Sequence, residues 1–276
     1  MPELPEVENI VSGLKNLLKN CIINSVIILE KKLISFPEIG TFSRIIENKK
    51  ILDISRRGKY ILIHLSSENI LVIHLRMTGK LLVKSSDEPY QKHTHIIFKL
   101  NNDKDLRFNN IRKFGRLYLI DSDNYENAGG LSNLGPEPLA DDFDFEDFKK
   151  LFENRTAKIK SLLLNQKFIA GLGNIYTDEI LFRTSIHPET PANKLREKDL
   201  KNIYFEMRKI LKLGIKYNGT TFSDYVNAFG EKGSFQEKLQ VYQKDGEDCP
   251  ECGTIIEKDK VAGRSSYFCP HCQKVK

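Results

Sequence analysis

Four cysteines near the C-terminus constrain the fold of this chain more than any other feature. They form two C-x2-C pairs, Cys249/Cys252 and Cys269/Cys272, with sixteen residues between the pairs. This spacing is typical of a structural zinc site, in which each pair supplies two corners of a tetrahedron and the segment between them forms a hairpin. Disulfides are the competing use, but no secretory or transmembrane segment precedes the cysteines, and vicinal pairs favour a metal in a reducing compartment. We therefore expect one structural zinc ion.

Two further residues bear on this metal site. His271 lies inside the second pair and could compete as a ligand, although four thiolates already fill the tetrahedron. Cys21 is far away in the sequence and is expected to be a small buried hydrophobic residue.

The charge balance suggests a polyanionic partner. The chain has 276 residues, a formal net charge of +6 and an isoelectric point near 8.9, with length enough for two domains and a small appendage. No low-complexity tract or internal repeat is visible, which argues against membrane and solenoid classes. Either solvated faces or one nucleic-acid groove would explain the basic groups, which are Arg56-Arg57-Gly58-Lys59, Arg107, Arg112-Lys113, Arg116, Lys149-Lys150, Arg155, Lys158 and Lys160.

The first residues carry a possible covalent catalyst. If Met1 is removed, the chain begins with the secondary amine of Pro2, followed by the carboxylate of Glu3. A terminal amine has a pKa of about 8, so a useful fraction is neutral and can attack an aldehyde-level carbon to form an iminium. The alternative is that Pro2 and Pro5 only stiffen the N-terminus.

Hydrophobic periodicity predicts an N-terminal helix followed by a β-rich region. Residues 6–20 show a helical apolar face, and turn residues separate many of the short β-rich runs that follow. We expect an antiparallel sandwich built from 22–29, 51–54, 60–65, 70–75, 80–83, 95–100, 106–109 and 116–120.

The second half of the chain has helical periodicity. A segment over 134–142, rich in Pro, Gly and Asp, reads as a linker. The glycines of 170–174 do not match a dinucleotide loop, so we expect a tight turn between helices, either purely structural or able to approach a phosphate, with Asn174 capping the next helix. Amphipathic helices are predicted at 145–152, 159–164, 175–182 and 200–217.

Several motifs together resemble one family. The whole chain is similar to the formamidopyrimidine-DNA glycosylase (Fpg) family of bacterial enzymes, which remove oxidised purines such as 8-oxoguanine. Leu4 and Val7 favour this branch over endonuclease VIII, whose chains begin with a sequence like PEGPEI. The matching segments are PELPEVE at 2–8, RRGKY at 56–60, HLRMTGKL at 74–81, IRKFG at 111–115, LGPEPL at 134–139, AGLGNIYTDEILF at 170–182, and the cysteine-rich finger with Gly263-Arg264.

The resemblance implies a multidomain α+β fold. An N-terminal antiparallel β-sandwich with a flanking helix is expected at 1–135, and a linker at 136–150. A helix-two-turns-helix domain is expected at 151–240 and a zinc-finger β-hairpin at 241–276. The resemblance also implies a monomer in the bacterial cytoplasm, associated with the nucleoid, that binds double-stranded DNA containing oxidised bases or abasic sites.

Catalytic roles follow from the same resemblance. Pro2 would attack the sugar C1′ and form a Schiff base, and Glu3 would donate the proton that opens the deoxyribose ring. Lys59 would contact the sugar and a flanking phosphate, and Arg264 would assist the later elimination. Asn174 would hold a phosphate beside Arg264.

A base inside a duplex is out of reach, so the nucleotide must be flipped out and its place filled. The resemblance assigns that filling to Met77, Arg112 and Phe114, although a Met on a strand is ordinarily core filler. The segment 219–235 resembles the family's mobile loop over the flipped base. Arg155 stands where a lysine is common, which keeps the phosphate charge. The DNA-contacting positions are His74, Met77, His93, Arg112, Phe114, Arg155 and Asn174.

Two other functions stay open. A glycosylase for oxidised pyrimidines, like endonuclease VIII, would share most of these motifs. A catalytically inactive DNA-binding protein would keep the helical domain and the finger, but binding alone requires neither Pro2-Glu3 nor Lys59. Finger arrays of transcription factors are a weaker rival, because one finger leaves most of the chain unexplained.

Overall fold

A computed structural model of the chain describes residues 1–124, 128–222 and 225–275. The chain forms two compact units. The first contains Met1–Asn133 and Tyr217–Ser234, and the second contains Leu134–Lys216 and Phe235–Lys276. The segment of residues 217–234 therefore leaves the helical half of the sequence and joins the N-terminal unit.

The first unit begins with helix α1, Leu4–Leu18. Its apolar residues recur at helical spacing and are buried, among them Val7, Ile10 and Leu14. Pro5 is tolerated because the first helical turn needs no backbone donor there, and Glu3 forms a capping box with Glu6. These local signals start the helix two residues earlier than the periodicity alone predicts.

Nine strands in the described part of this unit form the expected sandwich. The strand order is β2-β9-β5-β4-β3-β1-β7-β8-β6, and only the β2–β9 pair is parallel. Only two residue pairs link β1 to β3, so this junction separates a four-strand layer from a five-strand layer. The strands are β1 Ile22–Ile28, β2 Ile34–Phe36, β3 Lys49–Arg57, β4 Tyr60–Leu65, β5 Asn69–His74, β6 Gly79–Ser85, β7 Thr94–Leu100, β8 Lys104–Asn110 and β9 Arg116–Asp121.

The core of this unit lies among α1, the strands and a short helix α2, Ile39–Ile46. All eight predicted strands are confirmed, whereas β2 and α2 were not predicted. Tyr225 and Ala228, from the segment of residues 217–234, join the same core cluster. The segment is therefore anchored on the N-terminal unit by apolar packing as well as by chain connectivity.

The second unit contains four α-helices in its described residues and a two-stranded hairpin. The prediction that Asn174 caps a helix is wrong, because the helix begins at Asn174 and Gly173 is its N-cap residue. The four predicted helices and the finger hairpin are confirmed. The elements are α3 Phe145–Lys150, α4 Ile159–Leu164, α5 Asn174–Arg183, α6 Glu197–Lys216, β10 Glu257–Val261 and β11 Arg264–Phe268.

Over the described residues, none of the helices combines the length and the apolar character that a bilayer span requires.

Candidate active site and nucleic-acid interface

The two candidate catalytic groups at the N-terminus are held against α1. Pro2 is buried directly before the helix, whereas Met1 is 48% exposed. Glu3 is also buried, and its backbone nitrogen donates to Oε2 of Glu6 at 2.8 Å. The positive end of the helix dipole favours a carboxylate at this position. Pro2 and Glu3 are therefore fixed by the cap of one helix rather than carried on a loose terminus.

Lys59 occupies the two-residue turn between β3 and β4. Gly58 before it has a φ of +55°, a conformation that a side chain would strain. Lys59 is buried. Arg56 on β3 donates from Nε to Oε2 of Glu8 at 2.7 Å and from Nη1 to the carbonyl of Gly58 at 3.0 Å. Arg56 thus joins helix α1, which follows Pro2 and Glu3, to the turn that carries Lys59.

His74 ends β5 and lies opposite Tyr60, with the two rings edge-on at 4.6 Å. Its Nδ1 accepts from the backbone nitrogen of Arg76 at 3.0 Å, which leaves the proton of the neutral ring on Nε2. Burial, together with the nearby positive charges of Arg76 and Lys59, lowers the pKa of His74 to about 3. His74 is therefore a neutral hydrogen-bond donor at physiological pH.

The segment of residues 217–234 contacts the cap of α1. The backbone nitrogen of Thr220 donates to Oε1 of Glu6 at 2.8 Å, and the Tyr225 hydroxyl donates to the carbonyl of Glu6 at 3.4 Å. The Glu6 carboxylate therefore accepts one hydrogen bond from the backbone of this segment and one from the backbone nitrogen of Glu3. The proposed covering loop over 219–235 lies here, except that residues 223–224 fall outside the described part of the chain.

The three predicted base-replacing side chains come from two neighbouring loops. Met77 and Phe114 are 46% and 54% exposed. Arg112 Nη1 lies 3.7 Å from the Met77 sulfur, and the Arg112 backbone nitrogen donates to Thr78 Oγ1 at 3.1 Å. Thr78 in turn donates to the Asn110 carboxamide at 2.9 Å. Large exposed apolar groups beside an arginine are suited to enter a base stack.

His93 borders a pocket beside these loops. The pocket has a volume of about 220 Å³ and includes Lys80, Lys92, Asn109 and Ile111 in its lining. The carbonyl of His93 accepts from the Asn110 backbone nitrogen at 3.0 Å, which attaches it to β8. His93 therefore lies close to the loop that carries Arg112.

In the second unit, Arg155 is exposed at the rim of a depression of about 560 Å³ that also includes Lys149 and Asn193. Two other basic residues cannot line a groove, which corrects part of the sequence-based expectation. Arg107 is 3% exposed and donates to Asp105 and to the carbonyls of Ser85, Glu88 and Pro89. Lys160 is fully buried.

Arg264 lies at the tip of the finger hairpin. It is the first residue of β11 and is exposed, directly after a turn in which Ala262 and Gly263 both have positive φ. Asn174, at the start of α5, donates from Nδ2 to the carbonyl of Ser265 at 2.8 Å. Asn174 is therefore bonded to the residue that directly follows Arg264.

The four finger cysteines fit a tetrahedral metal site. Their sulfur atoms all lie within 4.8 Å of one another. The Cys249–Cys272 and Cys252–Cys269 sulfur distances are 3.9 and 3.5 Å, far longer than a disulfide bond. Ideal tetrahedral zinc thiolates are separated by about 3.8 Å. The backbone nitrogen of Cys272 also donates to the Cys269 sulfur, an outer contact that orients a ligand.

Sequence reasoning missed several residues that build this site. Glu6 could have been found, because Glu3 and Glu6 have the spacing of a capping box. Arg56 was assigned to a basic surface, but it is mostly buried and paired with Glu8. Thr78 had no local signal, because its role depends on a loop 34 residues away.

Comparisons with known proteins agree across the chain. Residues 1–117 match the formamidopyrimidine-DNA glycosylase N-terminal domain, 134–226 its H2TH domain, and 246–275 a zinc finger found in FPG and IleRS. The formamidopyrimidine-DNA glycosylases of Pelotomaculum thermopropionicum and Desulforamulus reducens are 47% and 46% identical, over 100% of both chains in each case.

Solved structures give the same result. A Lactococcus lactis FPG point mutant in complex with a Fapy-dG containing DNA has a TM-score of 0.93 and 38% identity, covering 99% of this chain and 100% of that one. The Lactococcus lactis Fpg complex with an abasic site containing DNA has a TM-score of 0.92 at 38% identity, covering 99% of both chains. This chain belongs to the formamidopyrimidine-DNA glycosylase family.

Proposed function

We propose that the chain is a bifunctional DNA glycosylase and abasic-site lyase of base excision repair. Its substrate is double-stranded DNA that carries an oxidised purine, such as 8-oxoguanine or a formamidopyrimidine, or an abasic site. The observation that carries the proposal is the burial of Pro2 and Glu3 at the capped start of α1. A protein that only binds DNA has no need for a nucleophile and a carboxylate fixed at this point.

The chemistry begins with Pro2. Once Met1 has been removed, its neutral secondary amine attacks C1′ as the glycosidic bond breaks, and the base leaves with that electron pair and takes up the proton that the amine loses. Glu3 donates a proton to O4′ as the C1′–O4′ bond opens, which leaves an iminium between Pro2 and the sugar. Loss of a C2′ proton then expels the 3′ phosphate, and a second elimination expels the 5′ phosphate.

The remaining residues bind and orient the DNA in this proposal. Lys59 and His74 hold the sugar and its flanking phosphate, one as a cation and the other as a neutral donor. Arg264 and Asn174 hold a second phosphate and assist the last elimination. Met77, Arg112 and Phe114 fill the space that the flipped nucleotide leaves. His93 and Arg155 bind backbone phosphates.

Zinc has a structural role in the proposal. The four thiolates would hold the ion, and the ion would supply the folding free energy that a short hairpin lacks. The protein would act as a monomer on the chromosome in the bacterial cytoplasm.

Glu3→Gln tests the division between chemistry and binding. We expect single-turnover excision of 8-oxoguanine from a duplex to be abolished, because glutamine keeps the shape but has no proton to give. Binding to the same duplex should stay near wild type in a titration at fixed salt. If the affinity of the variant for the duplex fell as much as its excision rate, Glu3 would not have the catalytic role. A wild-type protein that excises thymine glycol faster than 8-oxoguanine would reject the purine specificity.

Arg112→Ala is the counterpart of that test. We expect weaker capture of the lesion duplex by about 1–3 kcal/mol, because the variant loses a charged contact to the orphaned base. Affinity for an undamaged duplex should change less, since no nucleotide is flipped there. Equal losses on both duplexes would make Arg112 a general phosphate contact.

A further inference from the structure

Lys160 and Asp178 form an ion pair in the interior of the second unit. The two side chains are 0% and 1% exposed, and Lys160 Nζ lies 2.6 Å from Asp178 Oδ1. Removing two charges from water costs several kcal/mol for each ion, and their attraction offsets this only with good geometry and further hydrogen bonds. Such a pair adds little to stability by itself, so its other hydrogen bonds indicate what it does.

Those hydrogen bonds reach the finger hairpin. Lys160 Nζ donates to the carbonyl of Ser265 at 2.9 Å, and Asp178 Oδ2 accepts from the backbone nitrogen of Tyr267 at 3.2 Å. Both ends of the ion pair are thus bonded to the backbone of β11, at alternate residues of the strand. Asn174 Nδ2 donates to the same Ser265 carbonyl at 2.8 Å. Backbone atoms bound in this way fix the register of a strand as well as its position.

Glu179, the residue after Asp178 in α5, binds the chain segment that leads into the finger, residues 240–242. Glu179 is 0% exposed, and its carboxylate accepts from the backbone nitrogens of Gln240, Val241 and Tyr242 at 2.8 to 3.1 Å. The adjacent carboxylates of Asp178 and Glu179 therefore bind both sides of the finger. Asp178 accepts from β11, and Glu179 accepts from the segment that enters the finger. The finger is attached to α5 by polar contacts that do not involve the cysteines.

Arg264 lies closer along the chain to this attachment than to the cysteines. It precedes Ser265 directly, whereas the nearest cysteine on β11's side, Cys269, is five residues away. The cysteines hold the base of the hairpin, and Lys160 with Asp178 holds the strand next to Arg264. Apolar side chains of similar volume would bury equally well, but they would remove the hydrogen bonds from Lys160 to the Ser265 carbonyl and from the Tyr267 nitrogen to Asp178.

We propose that Lys160 and Asp178 are positioning residues for Arg264, setting the hairpin so that this guanidinium meets the substrate phosphate during the last elimination. The inference rests on the proposed function and extends it to residues that contact no substrate. A small displacement of a group that acts on a reacting phosphate has a large effect on rate. The rate of the last elimination is therefore the quantity that the ion pair controls.

The test is a double-mutant cycle. Lys160→Met with Asp178→Leu removes the pair without leaving a lone buried charge. On a duplex with an abasic site, we expect unchanged zinc content and an unchanged amplitude of borohydride-trapped complex. The rate constant for the second elimination should fall at least about tenfold. In an Arg264→Ala background the same two substitutions should have no further effect, because the positioned group is gone.

Controls separate positioning from general damage. Lys209→Met with Glu206→Leu removes a more exposed ion pair of the same unit and should leave every rate unchanged. If the double variant loses zinc or trapping amplitude, Lys160→Met with Asp178→Asn takes its place in the cycle, because asparagine keeps an acceptor oxygen for the Tyr267 nitrogen and no lone charge is buried. Additive effects with Arg264→Ala, or a wild-type elimination rate, would overturn the inference. Failure of the wild-type protein to trap would instead overturn the proposed function.

Discussion

Arg56 and Glu8 connect helix α1, which follows the candidate nucleophile Pro2, to the hairpin that carries Lys59. Arg56 Nε lies 2.7 Å from Glu8 Oε2, and the two side chains are 10% and 33% exposed. Because Arg56 also donates to the Gly58 carbonyl, one guanidinium holds both structures. A partly buried, charge-assisted contact of this kind contributes more than a surface ion pair.

Arg56→Met should lower the free energy of unfolding by about 1–2 kcal/mol, because it removes hydrogen bonds to a charged group and to a carbonyl. Urea unfolding is the measurement. Lys15→Met is the matched control, since Lys15 joins the same helix to β3 through Asp53 but both side chains are more than 40% exposed. We expect Lys15→Met to lower the free energy of unfolding by less than about 0.5 kcal/mol. Equal costs would mean that the Arg56 contact is no stronger than a surface pair.

Cys249→Ser or Cys269→Ser should release the zinc ion and weaken DNA binding, while the β-sandwich stays folded. A hairpin of this size buries too little apolar surface to fold without metal. Metal analysis gives the zinc content, and circular dichroism reports the sandwich. Cys21→Ser is the control, because Cys21 is buried outside the cysteine cluster and should leave zinc stoichiometric. Full zinc content in either finger variant would remove that cysteine from the ligand set.

His74 should make stability depend on pH in the acidic range. Its pKa is lowered to about 3 in the native state, against an ordinary value of 6.5. Below about pH 6.5 the ring of His74 is therefore protonated in the unfolded chain but stays neutral in the native protein. The contribution of His74 to the free energy of unfolding is complete above that pH and is lost as the pH falls toward 3. Between pH 7 and pH 5 the loss is about 2 kcal/mol.

Comparison with His74→Gln isolates this effect. The variant should lose less stability than wild type between pH 7 and pH 5 in parallel urea titrations. Parallel pH profiles for the two proteins would show that His74 titrates normally.

Gly13 permits the segment of residues 217–234 to lie against α1. A Cβ atom at Gly13 would lie 2.9 Å from the Ala228 Cβ and 3.3 Å from the Phe229 ring. Gly13→Val should therefore displace this segment and increase hydrogen exchange of its amides, including that of Thr220. Ser12→Val, on the exposed side of the same turn, should leave the exchange pattern unchanged. Unchanged protection in Gly13→Val would show that the segment does not depend on this contact.

The regular elements could be predicted because their local patterns are strong. α4 and β4 have the predicted bounds, and the alternation of β8 is visible in the sequence. β2 is only three residues long and mostly exposed, so it has too few positions to show a period. α2 follows it closely and was missed with it.

The errors in the site arise from pairing between distant residues. Lys160 looks like a surface lysine until Asp178, eighteen residues later, is brought beside it by the packing of α4 against α5. Arg107 also looks like a surface cation in the sequence, but it is buried because it donates to Asp105 and to the carbonyls of a loop. In contrast, Pro2, Glu3 and the four cysteines could be identified because their chemistry depends on position and spacing along the chain.

Borohydride trapping on an 8-oxoguanine duplex tests covalent catalysis by Pro2, because reduction converts the iminium into a stable amine. Intact mass should first establish that Met1 is absent from the protein used. We expect a covalent protein–DNA adduct whose cross-linked peptide begins at Pro2. No adduct from the Met1-processed protein, or an adduct that maps to Lys59 instead of Pro2, would contradict covalent catalysis by Pro2.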